Sequence, residues 1–384
     1  MLRWLTAGES HGPQLTIIVE GLPAGLELAA EDLRRDLRRR QGGHGRGGRQ
    51  QIEVDEARIV GGVRGGLTMG SPVALVLENR DHANWTEQMT PAREGFAPKP
   101  VTRLRPGHAD LAGVLKYGHD DVRNVLERSS ARETASRVAA GGIARKLLAR
   151  FGVTVLSFVQ SVGSVDVGYE SVDPGAVTQE EIEASPVRCP DPEASARMVA
   201  EIDAAGARGD TLGGTFRVVA TGLPPGLGSY VHWDRKLDAR LAMAILSINA
   251  VKGVDFGAGF EGAARPGSDF HDEIDFAGGR FRHLTNRAGG LTGGVTNGEP
   301  IDLRAALKPI STMKKPMRSV DLATHERVDA HYERSDVCVV PAAGVIGEAM
   351  VALTLADAFL EKFGGDSIPE VERNLRGYLS SIGR

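Results

Sequence analysis

Residues 14–26 read QLTIIVEGLPAGL, and residues 215–227 read TFRVVATGLPPGL. In each, a run of strand character meets a Gly-Leu-Pro-x-Gly-Leu turn, and a helical stretch follows. A second pair of segments recurs in the same order. RSSARETASRVAAGGIARKLLARFG at 128–152 and RSDVCVVPAAGVIGEAMVALTLADAFLEKFG at 334–364 both open on Arg-Ser, continue as an Ala/Gly-rich apolar helix and end on Phe-Gly. Gly, Leu and Pro are ordinary turn chemistry, but two markers in one order predict an internal duplication. The repeats are expected at about 1–155 and 210–365 within a single domain spanning 1–384, with an insertion at about 168–208.

Composition is that of a globular protein with a sizeable core: 384 residues, 41% hydrophobic and 25% charged. The 49 glycines gather in polar loops, where backbone must turn sharply or approach a ligand. Cys189 and Cys338 follow no CxxC spacing, so neither a disulfide framework nor a zinc site is expected, and a reducing cytoplasm fits. Glu9 and His11, with no apolar run before them, argue against a secretory signal. The apolar stretch 339–360 is broken by Pro341, Glu348 and Asp357 and reads as a buried helix rather than a membrane span. A net charge of -4 gives no global attraction for nucleic acid, yet residues 34–49, RRDLRRRQGGHGRGGR, hold seven arginines against Asp36 alone.

Around these markers, EDLRRDLRRRQ (31–41) reads as a helix with acids first and arginines last, delivering arginine to the glycine loop. QIEVDEARIVGG (51–62) and SPVALVLEN (71–79) read as strands. Ser130 to Glu133 reads as a capping box opening a helix whose buried face carries Ala135, Val138, Ala139, Ile143 and Leu147. Residues 80–127 read as a long polar loop, which in a compact domain signals function.

Four constellations could carry chemistry. AGESHG (7–12) sets a carboxylate, a hydroxyl and an imidazole between glycines, either as a turn with a satisfied histidine or as part of a site. GGHGRGGR (42–49) is either a flexible RNA-binding segment or a folded anion loop; it lacks interleaved aromatics and sits between a helix and a strand, which favours the second. RLRPGHAD (103–110) offers Arg105 and His108. KPISTMKKPMRS (308–319) and ERSD (333–336) add Lys308, Lys314, Lys315, Arg318, Arg334 and Asp336. His82, His119, His232 and His325 read as ordinary surface or satisfied polar residues. Two histidines in glycine-bordered loops with several cationic loops describe a pocket for a polyanion undergoing proton transfer.

GESHG (8–12), RRRQGGHGRGGR (38–49), RPGHAD (105–110), RSSARETASRVAAG (128–141), SINAVKG (247–253) and ERSDVC (333–338) together resemble the chorismate synthase family over essentially the whole chain. The resemblance implies an α+β fold, an internally duplicated β-α-β sandwich with helices packed between antiparallel sheets. It implies a carbon–oxygen lyase: anti-1,4-elimination of phosphate and a C6 hydrogen from 5-enolpyruvylshikimate 3-phosphate, giving chorismate with reduced FMN in a redox-neutral turnover. By resemblance His11 is the acid beside the departing phosphate, His108 protonates reduced flavin, and Asp336 partners flavin N5, which removes the C6 proton. Arg40 and Arg46, with Ser10, Arg49 and Arg105, resemble substrate- or NADP-binding positions. Arg128, Ser129, Ser130, Asn249, Ala250, Gly293, Lys308, Pro309, Ile310, Ser311, Thr312 and Arg334 resemble FMN-binding positions. Family members are usually cytoplasmic tetramers, and the reductant, NADPH or a separate flavin reductase, is left open. No metal, nucleic acid or membrane partner is expected. The rivals are an RNA-binding module built on the arginine–glycine loop and a flavin-dependent reductase.

Overall fold

The computed structural model describes residues 1–47, 53–96, 98–333 and 336–384. Two antiparallel sheets face each other across a layer of helices. The first holds β1 (Arg3–Ala7), β2 (Gln14–Glu20), β3 (Ala57–Gly61) and β4 (Val73–Glu78) in the order β1-β2-β4-β3. The second holds β5 (Thr154–Val162), β6 (Val165–Asp166), β7 (Gly214–Thr221), β8 (Val251–Phe256) and β9 (Ile301–Leu307) in the order β8-β9-β7-β5-β6. The main helices are α1 (Ala30–Gln41), α2 (Asp110–Tyr117), α3 (Arg123–Ser129), α4 (Thr134–Arg150), α5 (Pro192–Ala207), α6 (Leu237–Leu246), α7 (Val340–Phe363) and α8 (Ile368–Ser381). Between the sheets, α4 packs on β2, α7 packs on β5 and β7, and the two helices pack on each other with α1 and α6 alongside.

The strand patterns explain the layering. In β2, Leu15, Ile17 and Val19 are buried while Ile18 is exposed, the alternation of a sheet with one wet face. In β7 the unbroken run Phe216 to Ala220 is buried on both faces. Its outer face is covered from the 168–208 segment, where Ile182 packs with Phe158 and Val219. Helix α7 is the one helix among the described residues long and apolar enough to cross a membrane, and 89% of its apolar window is buried within the chain. It meets α4 closely: a Cβ added at Gly141 would stand 2.3 Å from that of Ala349, so this crossing requires glycine.

The strand order β1-β2-β4-β3 reappears as β5-β7-β9-β8, each second strand leading through its Gly-Leu-Pro turn toward a helix. The turns are held alike. Thr68 Oγ1 accepts from Leu26 N at 2.9 Å and donates to the Pro23 carbonyl at 2.7 Å; Thr296 Oγ1 accepts from Leu227 N and donates to the Pro224 carbonyl, both at 2.8 Å. We infer that the two sheets are copies of one unit. On that reading the second copy begins with β5, ahead of the insertion.

Some local expectations change. Of QIEVDEARIVGG, residues 53–56 form no strand and 51–52 lie outside the described residues. The 80–127 loop contains α2 and α3. Ser130 makes no capping box: its Oγ accepts from Arg132 N at 3.2 Å over a 3-10 turn, and α4 starts only at Thr134. Glu133 accepts instead from Arg137 Nε at 2.8 Å and from the Thr6 hydroxyl at 3.0 Å, and with Arg137 the bond is an ion pair.

At the centre of the helix layer Glu348 is fully buried. Arg39 of α1 binds it with two hydrogen bonds of 2.7 Å, Arg145 of α4 pairs with it, Arg188 from the insertion lies 3.2 Å away, and Ser157 of β5 donates at 2.7 Å. Burial alone would raise this carboxyl's pKa, but the guanidiniums hold it well below the usual carboxylate range. A folded-state value below the unfolded one, about 4.3, means that its stabilisation is present above that pH and fades as pH falls beneath it. Glu348→Gln should therefore cost about 3–5 kcal/mol at pH 7, leaving buried arginines uncompensated. Urea unfolding of parent and variant should show the gap at pH 7 and its narrowing on acidification; equal midpoints at pH 7 would make the cluster energetically neutral.

Candidate active site

The starts of α4 and α7, equivalent helices on the duplication reading, open onto one cavity, lined there by Ala131 and Arg132 of the 3-10 turn, by Thr134, and by Val339, Ala342 and Ala343. Helix N-termini present free N–H groups and positive potential, so this is where an anion is favoured. The arginine-rich stretch divides as it reaches the site. Arg34 and Arg35 stay on ion pairs nearer the surface, Arg39 turns into the Glu348 cluster, and Arg40 and Arg46 face the cavity.

Arg40 donates to Asp55 at 2.6 Å and to Thr134 Oγ1 at 3.3 Å. Arg132 also pairs with Asp55 and donates to Asn79 at 2.8 Å. Burial would raise the Asp55 carboxyl, but these two guanidiniums hold it below its ordinary value. Arg46 lies 2.9 Å from Asp336, whose other oxygen accepts from the Gly47 N–H at 2.5 Å. Burial, with Arg40 nearby, lowers the Arg46 pKa, which Asp336 partly offsets. Among the described residues eight buried side-chain polar atoms lack a hydrogen bond, and four of them belong to arginines lining this cavity: Arg40 Nε, Arg46 Nε, Arg123 Nε and Arg123 Nη1, the last of which still stands in an ion pair 3.1 Å from Glu333. Buried donors without acceptors are costly. The guanidiniums that carry them line a cavity whose charge suits a multiply anionic molecule.

Both motif histidines line the cavity, each with Nδ1 on a carboxylate. His11 Nδ1 is 2.8 Å from Glu127, and its ring lies 4.0 Å from that of Trp85. His108 Nδ1 bonds Asp110, which also accepts from Arg105 Nε at 2.9 Å. Burial would raise the Asp110 carboxyl, yet the bonds from His108 and Arg105 hold it well below the ordinary range. Glu333 joins the two halves of this array. It lies 3.1 Å from Arg123 and 4.0 Å from Arg105, and its pKa falls to about 2 through a hydrogen bond from His331 and these guanidiniums, against the opposing effect of burial.

Of the remaining expected residues, Ser10, Arg105, Ser130, Asn249, Ala250, Ile310, Ser311 and Thr312 line the cavity. Ala250 adopts a φ of +70°, a left-handed backbone costly for alanine. Lys308 and Pro309 stand outside the lining, although Lys308 donates to the Gly107 carbonyl at 2.7 Å beside His108. Arg128 turns to the carbonyls of Thr6 and Gly8, Ser129 bonds the Val125 carbonyl, and Gly293 sits in the turn between Leu291–Thr292 and Val295–Thr296, away from the cavity. Arg49 and Arg334 lie outside the described residues. His82 is a satisfied polar residue, as expected, with its Nδ1 2.9 Å from the His11 carbonyl oxygen. Glu53, Asp55, Trp85, Arg123, Glu127, Arg132 and Glu333 had not been singled out. Only the i, i+4 spacing of Arg123 and Glu127 on α3 was a usable signal.

Imidazoles on carboxylates, set among guanidiniums with unfilled donors, suit proton transfer on a small polyanion, and this places the chain among enzymes rather than nucleic-acid-binding modules. Arg40 is buried and the Arg46 side chain is largely covered, which removes them from a surface that could track an RNA strand. A family model described as chorismate synthase matches residues 2–360. The chain is 58% identical to the chorismate synthase of Symbiobacterium thermophilum over the full length of both, and 57% identical to that of Geobacter metallireducens over 100% of this chain and 99% of the other. A solved chorismate synthase structure superposes with a TM-score of 0.80 at 41% identity, covering 99% of this chain and 98% of that one. The chain belongs to the chorismate synthase family, flavin-dependent lyases of aromatic amino acid biosynthesis.

Inorganic phosphate should therefore raise the melting temperature, by about 2.7 kcal/mol of added stability at a hundredfold excess over Kd. The effect should weaken with salt, vanish in Arg46→Ala and return only in part in Arg46→Lys, whose point charge cannot reproduce the guanidinium fork. Thermal shift measurements check this; equal shifts in all three proteins would place the anion elsewhere.

Proposed function

We propose that this chain eliminates phosphate from 5-enolpyruvylshikimate 3-phosphate to give chorismate, with reduced FMN bound in the same cavity. The observation that carries the reading is the convergence of Arg40, Arg46, Arg105, Arg123 and Arg132 on one cavity beside the starts of α4 and α7, which suits a substrate bearing a phosphate and two carboxylates. An apolar wall of Ile248, Leu307, Ile310, Val339 and Ile346 offers a surface for a planar ring, so the residues present also fit a flavin. When bound, reduced flavin supplies transient electron density as phosphate leaves and ends the cycle reduced.

The chain's own residues do the rest. Arg40, Arg46 and Arg123 hold anionic groups and stabilise the charge that grows on the departing phosphate. His11 offers a proton from Nε2 toward that phosphate. His108 does the same at the flavin side of the cavity. Asp336, held by Arg46 and Gly47, is placed to accept or relay a proton. NADPH or a separate reductase keeps the cofactor reduced, and the working form is a cytoplasmic homotetramer.

The decisive assay is anaerobic, with chemically reduced FMN: chorismate and phosphate should appear in equal amounts with no NADPH oxidised per turnover. Stoichiometric NADPH loss would make the protein a reductase instead. His11→Ala and His108→Ala should each lose about 10²–10⁴-fold in turnover while still binding FMN, the usual contribution of a general acid–base group. Near-normal turnover in a folded variant would remove that histidine from the reaction. Asp336→Asn keeps shape but not basicity. Slow single-turnover phosphate release with near-native binding supports a proton role. Native release with weakened ligand binding or a lowered melting temperature would leave Asp336 as the counter-charge of Arg46.

A further inference from the structure

Glu127 does not line the cavity, yet it makes the closest polar contacts to His11. One carboxylate oxygen accepts from the His11 backbone N–H at 2.8 Å, and the other lies 2.8 Å from Nδ1. An ionised carboxylate has no proton to give, so Nδ1 must carry the hydrogen of that bond. Nε2 is left as the ring nitrogen that exchanges a proton with whatever fills the cavity. We propose that Glu127 is a positioning residue for the elimination, fixing the tautomer of His11 and steadying its cationic form so that the transferable proton sits on Nε2. The inference rests on the reading of His11 as the acid at the departing phosphate.

The surroundings fit this role. Trp85 packs on the imidazole with ring centroids 4.0 Å apart and planes tilted by 31°, and Arg123 lies 4.9 Å over the same indole while standing 3.5 Å from Glu127. The other titratable groups facing His11 are Asp81, 4.0 Å from Nε2, and His82 on the His11 carbonyl. Neither touches Nδ1. A glutamine at 127 has the same shape but only one acceptor oxygen. It cannot accept from both N–H groups, so either the imidazole tautomer flips or a donor meets a donor.

Single-turnover phosphate release, measured anaerobically with pre-reduced FMN, should fall at least about 100-fold in Glu127→Gln, as when a histidine loses its orienting carboxylate. Dissociation constants for substrate and FMN should stay within about threefold, because Glu127 contacts neither. The alkaline limb of the rate profile should move to lower pH, since losing the anion disfavours the imidazolium. Glu127→Asp, which keeps the charge, should restore the position of that limb even at reduced rate. Adding Glu127→Gln to His11→Ala should cost nothing more. An unchanged rate in Glu127→Gln, or a full extra loss in the His11→Ala background, overturns the proposal. If the glutamine variant melts too low to assay, the aspartate variant decides alone, and a displaced limb there overturns it equally. A His11→Ala protein that turns over normally would sink the role of His11 itself, whereas an inactive His11→Ala with an unaffected Glu127→Gln sinks only this inference.

Discussion

A single carboxylate with no access to water organises the helix layer. Glu348 receives guanidiniums from α1, α4 and the insertion and a hydroxyl from β5, so one charge ties both sheets' helices and the added segment to one point. A hydrophobic contact tolerates sliding, whereas an ion in a low-dielectric interior must meet its partners at hydrogen-bond distance. The tight approach of α4 to α7 at Gly141 adds a steric limit to that electrostatic one. Together they set where the two helices begin, and those beginnings are the floor of the cavity.

The link between scaffold and site runs through adjacent residues. Arg39 closes the Glu348 cluster, and Arg40, the next residue on α1, points into the cavity toward Asp55 and Thr134. Once the first is held, the helix geometry aims the second. Positive charge in the cavity is kept tolerable by acids placed behind it: Asp55 behind Arg40 and Arg132, Asp110 behind Arg105, Glu333 beside Arg123, Asp336 beside Arg46. These acids leave some N–H donors unfilled. The guanidiniums that line the cavity thus keep their charge beside these acids, and the lining suits a polyanionic ligand.

Much of this was legible in the chain. The alternation of β2, the apolar run of β7, the two Gly-Leu-Pro turns and the long apolar helix at the C-terminal end follow from side-chain period and turn chemistry, which act over a few residues. His11, His108, Arg40, Arg46, Ser130, Asn249 and Thr312 stood in motifs that could be singled out, and all of them line the cavity. Local chemistry misled where a longer-range partner was stronger. Ser130 and Glu133 have the spacing of a capping box, but Arg137 and Thr6 claimed the glutamate. QIEVDEARIVGG reads as a strand, yet of its described residues Ala57–Gly61 form one, while Asp55 ahead of them is paired with Arg40 and Arg132.

The sequence by itself pointed to most of the strands and to the long apolar helices, and it put the histidines and arginines that line the cavity into recognisable motifs, because those features depend on neighbours within a turn or a strand. Only the tertiary structure decided which of the clustered arginines face a ligand and which close the core. It alone revealed that Glu127 and Asp110 stand on Nδ1 of the two histidines. A charge takes its role from the partners brought within about 4 Å of it, and for His11 and Glu127, more than a hundred residues apart in the chain, that proximity exists only after folding.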